Sequence, residues 1–143
     1  MSNAFDCAVR LLARRDYSVY ELTGKILQKG YSQEDTESAI AECQRLGLQS
    51  DSRFAEMICN ARVRQGYGPL RIVQELQGKQ VSRDIINAAL AEYESQWQDY
   101  ACAVWRKKFK QPINFAEQQK QQRFLLYRGF SADIIAGLFK EYC

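Results

Sequence analysis

Apolar residues recur along this chain at helical spacing, and no segment alternates as a half-buried strand would. Phe5, Ala8, Val9 and Leu12 make a first stripe, which predicts a helix with one buried face. Ser18-Val19-Tyr20-Glu21 then reads as a capping box: the serine oxygen accepts an orphan amide and Glu21 reaches back to the cap. The helix it opens carries Leu22 and Ile26 and runs to Lys29. Gly30 supplies a left-handed C-cap, with Tyr31 placed for the accompanying apolar contact. Ser32 opens a third helix, with Glu34 and Asp35 near its positive end. Thr36, Ala39, Ile40, Cys43 and Leu46 form its inner face, and Gly47 stops it.

The chain is organised around the next stretch, DSRFAEMICNARVRQGYGPLRIVQEL, from Asp51 to Leu76. Phe54, Met57, Ile58 and Ala61 form one helical face. Gln65-Gly66-Tyr67-Gly68-Pro69 breaks it, because the glycines permit positive φ and Pro69 suits the first turn of a new helix. Ile72, Val73 and Leu76 supply the buried side of that helix. Arg62, Arg64 and Arg71 surround the break. They read either as a solvated helix surface or as charge gathered for a ligand.

From Ser82 the period continues through Ile86, Ala89, Leu90, Tyr93 and Trp97, with neither Gly nor Pro before Pro112. Two alternatives follow for residues 82–109: one long bent helix, or two helices joined by a kink without a cap. Tyr100, Ala101, Val104 and Trp105 carry a mixed aromatic face. Pro112-Ile113-Asn114 is a break, and Asn114 to Glu117 reads as a cap. A last helix from Ser131 buries Ile134, Ile135, Leu138 and Phe139.

These elements repeat. Lys29-Gly30-Tyr31-Ser32 recurs as Lys79-Gln80-Val81-Ser82 and again as Arg128-Gly129-Phe130-Ser131, with a period near 50 residues. Leu22 and Ile26 correspond to Ile72 and Leu76, and Ile40 to Leu90 and Phe139. The pattern predicts an all-α chain of three tandem three-helix, helix-turn-helix-like repeats, elongated, over residues 1–49, 50–91 and 92–143. Gln80 stands where the other copies have glycine. A non-glycine residue at a left-handed cap is uncommon, so that turn is expected to close differently.

Several motifs in this order carry a resemblance. Leu48–Glu56 (LQSDSRFAE), Arg62, Gly66-Tyr67-Gly68-Pro69, Arg71-Ile72 and Glu75-Leu76 resemble the bacterial RecX family of RecA regulators. Arg15-Asp16-Tyr17-Ser18 with Glu21-Leu22, Lys25 and Lys29-Gly30 is similar to the family's N-terminal pattern. Gln122-Arg123-Phe124-Leu125-Leu126-Tyr127-Arg128-Gly129-Phe130 is similar to the C-terminal part of its longer members. Residues 92–115 match least clearly.

Composition narrows the function. Of 143 residues, 46% are hydrophobic and 26% charged, as in ordinary globular proteins. No apolar run is long enough to span a membrane, and no secretory signal is visible; an N-terminal extension of the natural chain is left open. The five cysteines, Cys7, Cys43, Cys59, Cys102 and Cys143, are widely spaced with no C-x-x-C. That argues against a disulfide framework and a zinc site, and it suits a reducing cytoplasm. Histidine is absent, which removes the commonest general base. No phosphate loop or paired-acid motif replaces it. The sequence therefore predicts neither an enzyme nor a bound cofactor or metal.

The net charge of +3 conceals a segregation. Residues 53–83 hold six basic against two acidic side chains, and residues 105–128 hold seven against one. Arg106-Lys107-Lys108-Phe109-Lys110 is the densest run. It reads either as a solvated helix end complementing the dipole or as part of a phosphate-binding stripe. No copy carries an Asn/Gln/Arg-rich recognition helix, so backbone or filament binding fits better than base readout. Several of the 17 aromatic residues fall at helical spacings, which is more often core packing than base stacking.

The RecX resemblance implies a cytoplasmic, non-enzymatic regulator, here expected to be monomeric. It would bind the RecA–DNA filament along its groove and inhibit recombinase, ATPase and coprotease activities, and so modulate recombinational repair and the SOS response. The DNA backbone, single- or double-stranded, would be a weak, non-specific partner. The candidate contact residues are Arg62, Arg64, Arg71 and Lys79, with Arg106, Lys107 and Lys108 second. Asp51, Phe54, Gly66, Tyr67, Gly68 and Pro69 are expected to act structurally. The alternative is a free-standing helical DNA-binding protein that affects RecA only by competing for DNA.

Overall fold

The computed structural model of the chain describes residues 3–142, and every regular element among them is an α-helix. The nine helices fall into three successive triplets. The first is α1 (Ala4–Arg14), α2 (Val19–Gln28) and α3 (Gln33–Arg45). The second is α4 (Asp51–Arg64), α5 (Pro69–Gly78) and α6 (Arg83–Ala91). The third is α7 (Trp97–Lys108), α8 (Phe115–Tyr127) and α9 (Ala132–Tyr142).

Local chemistry sets the boundaries. The third helix of each triplet begins at a serine whose Oγ accepts an amide: Ser32 from Asp35 at 3.0 Å, Ser82 from Ile85 at 3.3 Å, Ser131 from Ile134 at 3.3 Å. Ser18 and Asn114 cap α2 and α8 in the same way, accepting from Glu21 and Glu117 at 3.1 and 2.9 Å. The Ser18 box is only half made, because Glu21 turns its carboxylate to Arg15 and Lys79 instead. Asp51 accepts the Val19 amide at 2.9 Å, so a residue from the start of α4 completes the α2 cap.

Gln80 overturns the expectation for its turn. Its φ is 57°, beside 96° at Gly30 and 98° at Gly129. Its amide donates to Gln77 O at 3.0 Å and that of Val81 to Leu76 O at 3.1 Å; Gly129 and Phe130 make the same bonds to Leu126 and Leu125. The turn closes as at Gly129, since these two bonds satisfy orphan carbonyls only from the left-handed region. A Cβ there costs about 1–2 kcal/mol.

Between α6 and α7 the kinked alternative holds. Residues 92–96 form turns, and α7 starts after Gln96 with no side-chain cap. Leu46 departs from its expected place: α3 ends one residue earlier, so Leu46 is the C-cap and is 48% exposed.

The described residues form two compact units. One comprises residues up to Met57 with Leu76–Ile86, the other Ile58–Glu75 with the residues from Asn87 onward. In the first, Ala4, Cys7, Ala8, Tyr17, Leu22, Ile26, Ala39, Ile40 and Cys43 form one buried cluster, with Phe5, Val9, Leu12 and Tyr31 against it. Phe54 is fully buried. Gln49 is buried but satisfied, donating to Tyr17 O at 3.2 Å and Asp51 Oδ1 at 3.0 Å.

In the second unit α7, α8 and α9 pack mutually, and Trp97, Ala101, Trp105, Leu125, Ile135, Leu138 and Phe139 are buried. The indole of Trp105 donates to Gln121 Oε1 at 2.7 Å, and Gln121 Nε2 donates to Lys110 O at 2.9 Å, which pins the chain leaving α7. Cys7, Cys43 and Cys102 are buried free thiols and Cys59 is buried as well; burial pushes the Cys43 thiol above its usual range. Cys143 lies outside the described residues.

Candidate functional site

The Gly66–Pro69 break is welded, within the second unit, to the turn after α8. Gly68 N donates to Arg128 O at 2.8 Å and Leu70 N to Gly129 O at 2.9 Å. The approach leaves no room for side chains. A Cβ on Gly68 would stand 2.5 Å from the Gly129 carbonyl carbon, and one on Gly129 2.5 Å from Arg71 Cβ.

This clasp sets the arginines around it. Arg71 lies in the first turn of α5, where a cation is disfavoured by the dipole. Its guanidinium stacks on Tyr67 at 4.4 Å and Tyr127 at 5.3 Å, and it donates to Tyr127 O at 3.3 Å. Arg128 lies 5.1 Å from the Tyr67 ring and 5.2 Å from that of Phe124, and donates to Gln65 O at 3.0 Å. Tyr67 thus takes two guanidinium groups, each contact of a kind worth about 0.5–1 kcal/mol at exposed sites. Lys108 Nζ stands 4.2 Å over Phe124, which packs edge-on against Phe109 with centroids 5.3 Å apart.

Beside these stacks lies a cleft of about 300 Å³, bounded by the last turns of α4, α7 and α8. Arg64, Lys107, Lys108 and Arg128 line it together with Val63, Tyr100, Ala103, Val104 and Phe124. Three helix C-termini meet here, and their partial negative charge stabilises cations nearby. Among the described residues, none of Arg64, Arg71, Lys107, Lys108 and Arg128 pairs with a carboxylate. The arrangement offers positive charge over a partly apolar floor, and it contains no nucleophile–base pair. No group of three or more metal-ligating side chains occurs among the described residues.

The sequence-predicted contact residues separate. Arg64, Lys107 and Lys108 come together at the cleft, and Arg71 stands at the adjoining stack. Arg106 is exposed in the last turn of α7. Arg62 has a different occupation: its Nε and Nη2 each donate to the Glu75 carboxylate at 2.7 Å, and its Nη1 to Gln65 at 3.1 Å. That hydrogen bonding to Glu75 raises its pKa further and leaves little of the guanidinium for a ligand.

Lys79 belongs to the first unit, 3.1 Å from Glu21, which Arg15 also approaches at 3.3 Å. Burial pushes the Glu21 carboxyl up, but bonds from Arg15 and Lys79 prevail and hold it below the usual range. Asp51, Phe54, Gly66, Tyr67, Gly68 and Pro69 hold caps, core and clasp. Arg128, Phe124 and Tyr100 are cleft residues that the sequence reading does not single out as contacts. The repeat carries a signal for the first, since Arg128 occupies the position of Lys29 and Lys79.

Family models match all three triplets: the first three-helix domain of RecX at residues 4–43, the second at 50–90 and the third at 94–137. The chain belongs to the RecX family. It is 52% identical over 143 residues to the regulatory protein RecX of Legionella pneumophila (strain Corby), covering 99% of this chain and 95% of that one. It is 44% identical over 147 residues to the regulatory protein RecX of Haemophilus influenzae (strain PittEE), covering 98% and 95%. The fold is that of a solved RecX from Lactobacillus salivarius, with a TM-score of 0.86 at 22% identity over 96% of this chain and 93% of the other. A second solved regulatory protein RecX gives a TM-score of 0.82 at 20% identity over 96% and 71%. The RecX relatives are regulatory proteins by name. No helix among the described residues is long and apolar enough to cross a membrane.

Proposed function

We propose that this RecX-family chain is a cytoplasmic regulator that binds the RecA–DNA filament without catalysing a reaction. It inhibits RecA's recombinase, ATPase and coprotease activities, and so modulates recombinational repair and the SOS response. The observation that carries the DNA-facing part is the cleft, where Arg64, Lys107, Lys108 and Arg128 converge with no carboxylate partner among the described residues. Such charge meets phosphate oxygens without reading sequence. Three tandem modules on one chain can engage several protomers at once, and weak contacts then add through avidity. RecA as the partner rests on what the resemblance to the RecX family implies.

The test is RecA ATPase on single-stranded DNA, titrated with the protein. Inhibition far below one molecule per RecA is the expected result. Inhibition only when the protein suffices to cover the DNA would favour a free-standing binder that competes for the strand. No inhibition at any ratio would overturn the reading.

A further inference from the structure

The cleft in the second unit is lined in two ways. Arg64, Lys107 and Lys108 are exposed, whereas Tyr100, Val104 and Phe124 are half-buried and mostly apolar. The wall at Gly66 is close-fitting: a Cβ there would lie 3.1 Å from Val104 Cγ2 and 3.4 Å from Arg128 Nη1. A site for phosphate alone requires donors and gains nothing from an apolar floor. A flat, apolar-faced group attached to an anionic backbone uses both halves.

Its volume of about 300 Å³ is at the small end of ligand clefts, suited to one base with its sugar. A duplex keeps its bases paired and stacked and cannot offer one, but a single strand can. Gln65, the amide in the lining, already accepts from Arg62 through its side chain and from Arg128 through its carbonyl. Stacking on a ring face accepts every base, so the seat has no need of sequence readout.

We propose that this cleft seats one unstacked base of a single-stranded nucleic acid, with Arg64, Lys107 and Lys108 holding the flanking phosphates. The contact is selective for single strands and indifferent to sequence. The inference rests on the reading that this face meets DNA, and it adds the strand state that the site selects.

Fluorescence anisotropy separates the two claims. The full chain is titrated against a mixed-sequence single strand, an abasic strand of equal length and charge, and the corresponding duplex. Base stacking predicts that the base-bearing strand binds roughly tenfold tighter than the abasic one. Ala103, exposed on α7 and lining the cleft, can be replaced to fill it. Ala103→Leu, an aliphatic side chain that offers no stacking face of its own, should bring the base-bearing strand down towards the abasic level.

Equal binding of base-bearing and abasic strands by the unaltered protein would overturn the seat, as would a preference for duplex or an Ala103→Leu variant that keeps the full difference. Tighter competition by a polyglutamate peptide than by the single strand would reassign the cleft to an acidic protein partner and overturn it too. RecA inhibition, measured in parallel, is the separate check: retained inhibition with equal strand binding sinks the seat alone, and absent inhibition sinks the regulatory reading.

Discussion

The amide of Gly68 donates to the carbonyl of Arg128 at 2.8 Å, so the turn leaving α4 and the turn leaving α8 share a backbone hydrogen bond. Each turn approaches the other more closely than a side chain allows. Gly68→Ala would place a methyl 2.5 Å from the Gly129 carbonyl carbon, with backbone rather than a flexible side chain as the obstacle. A loss of about 1–3 kcal/mol is expected from overpacking alone. Gly129→Ala adds the strain of φ near 98° and should cost more. Urea denaturation gives the order; a Gly68→Ala variant as stable as the parent would show that the clasp yields freely.

Gln80 gives the opposite sign. It is the one described non-glycine residue with positive φ, and its turn has the bonds of the glycine turns. Gln80→Gly removes a Cβ penalty of about 1–2 kcal/mol and adds back part of it as unfolded-chain entropy. A net gain of up to about 1 kcal/mol is expected in thermal or urea unfolding. A loss would mean that the Gln80 side chain makes a contribution larger than its strain.

Arg62 and Glu75 form a two-pronged ion pair, with side chains 29% and 25% exposed. Paired forks are stronger than single contacts, but water at this depth still screens them, so a coupling of about 0.5–1 kcal/mol is expected. A double-mutant cycle with Arg62→Ala and Glu75→Ala measures it. Arg62→Glu should destabilise the fold by facing Glu75, while Arg64→Glu on the exposed surface should stay within about 0.5 kcal/mol of the parent.

Glu21 makes stability depend on pH. Its carboxyl is held below the ordinary value of 4.5 in the folded chain by Arg15 and Lys79, against the opposing effect of burial. A depressed folded-state pKa means that the unfolded chain binds the proton more readily. The stabilisation is therefore complete above about pH 4.5 and is lost as pH falls through the folded value. The stability gap between the parent and Glu21→Gln should be largest near neutrality and shrink on acidification below that point. A gap that stays constant across the acid range would show that the charge is not what Glu21 contributes.

The sequence discloses what is local. Ser32, Ser82 and Ser131 each cap a helix because an oxygen three residues before an amide is a property of the chain itself. Gln80 stands out for the same reason, although the outcome goes the other way: the demand for two amide bonds outweighs its side-chain strain. Tertiary partners are hidden. Arg62 looks like its neighbour Arg64 until Glu75, 13 residues on, proves to lie against it. Arg128 and Phe124 can be aligned on the repeat, but their stacking with Tyr67 and Lys108 depends on the clasp between Gly68 and Gly129. Charge density in the sequence locates the two basic segments, and only the meeting of the last turn of α4 with α7 and α8 at the cleft brings Arg64 to Lys107.

Those groupings define the charge-reversal experiment that bears most directly on function. Arg64, Lys107 and Lys108 line one cleft, lack carboxylate partners among the described residues, and are exposed. Replacing all three by glutamate should leave helical content unchanged by circular dichroism, since no core side chain or cap is touched. Binding to the RecA–DNA filament should collapse. Weak binding to bare single strands should fall with it, and the salt slope should shrink by about 0.7 for each phosphate no longer neutralised. Lys79→Glu, in the first unit and facing Glu21 at 3.1 Å, should instead lower stability by juxtaposing two carboxylates. If the cleft variant no longer binds bare DNA but still inhibits RecA at low ratio, the cations serve DNA alone and the filament is recognised elsewhere on the chain. If it keeps both, the cleft is not the contact surface.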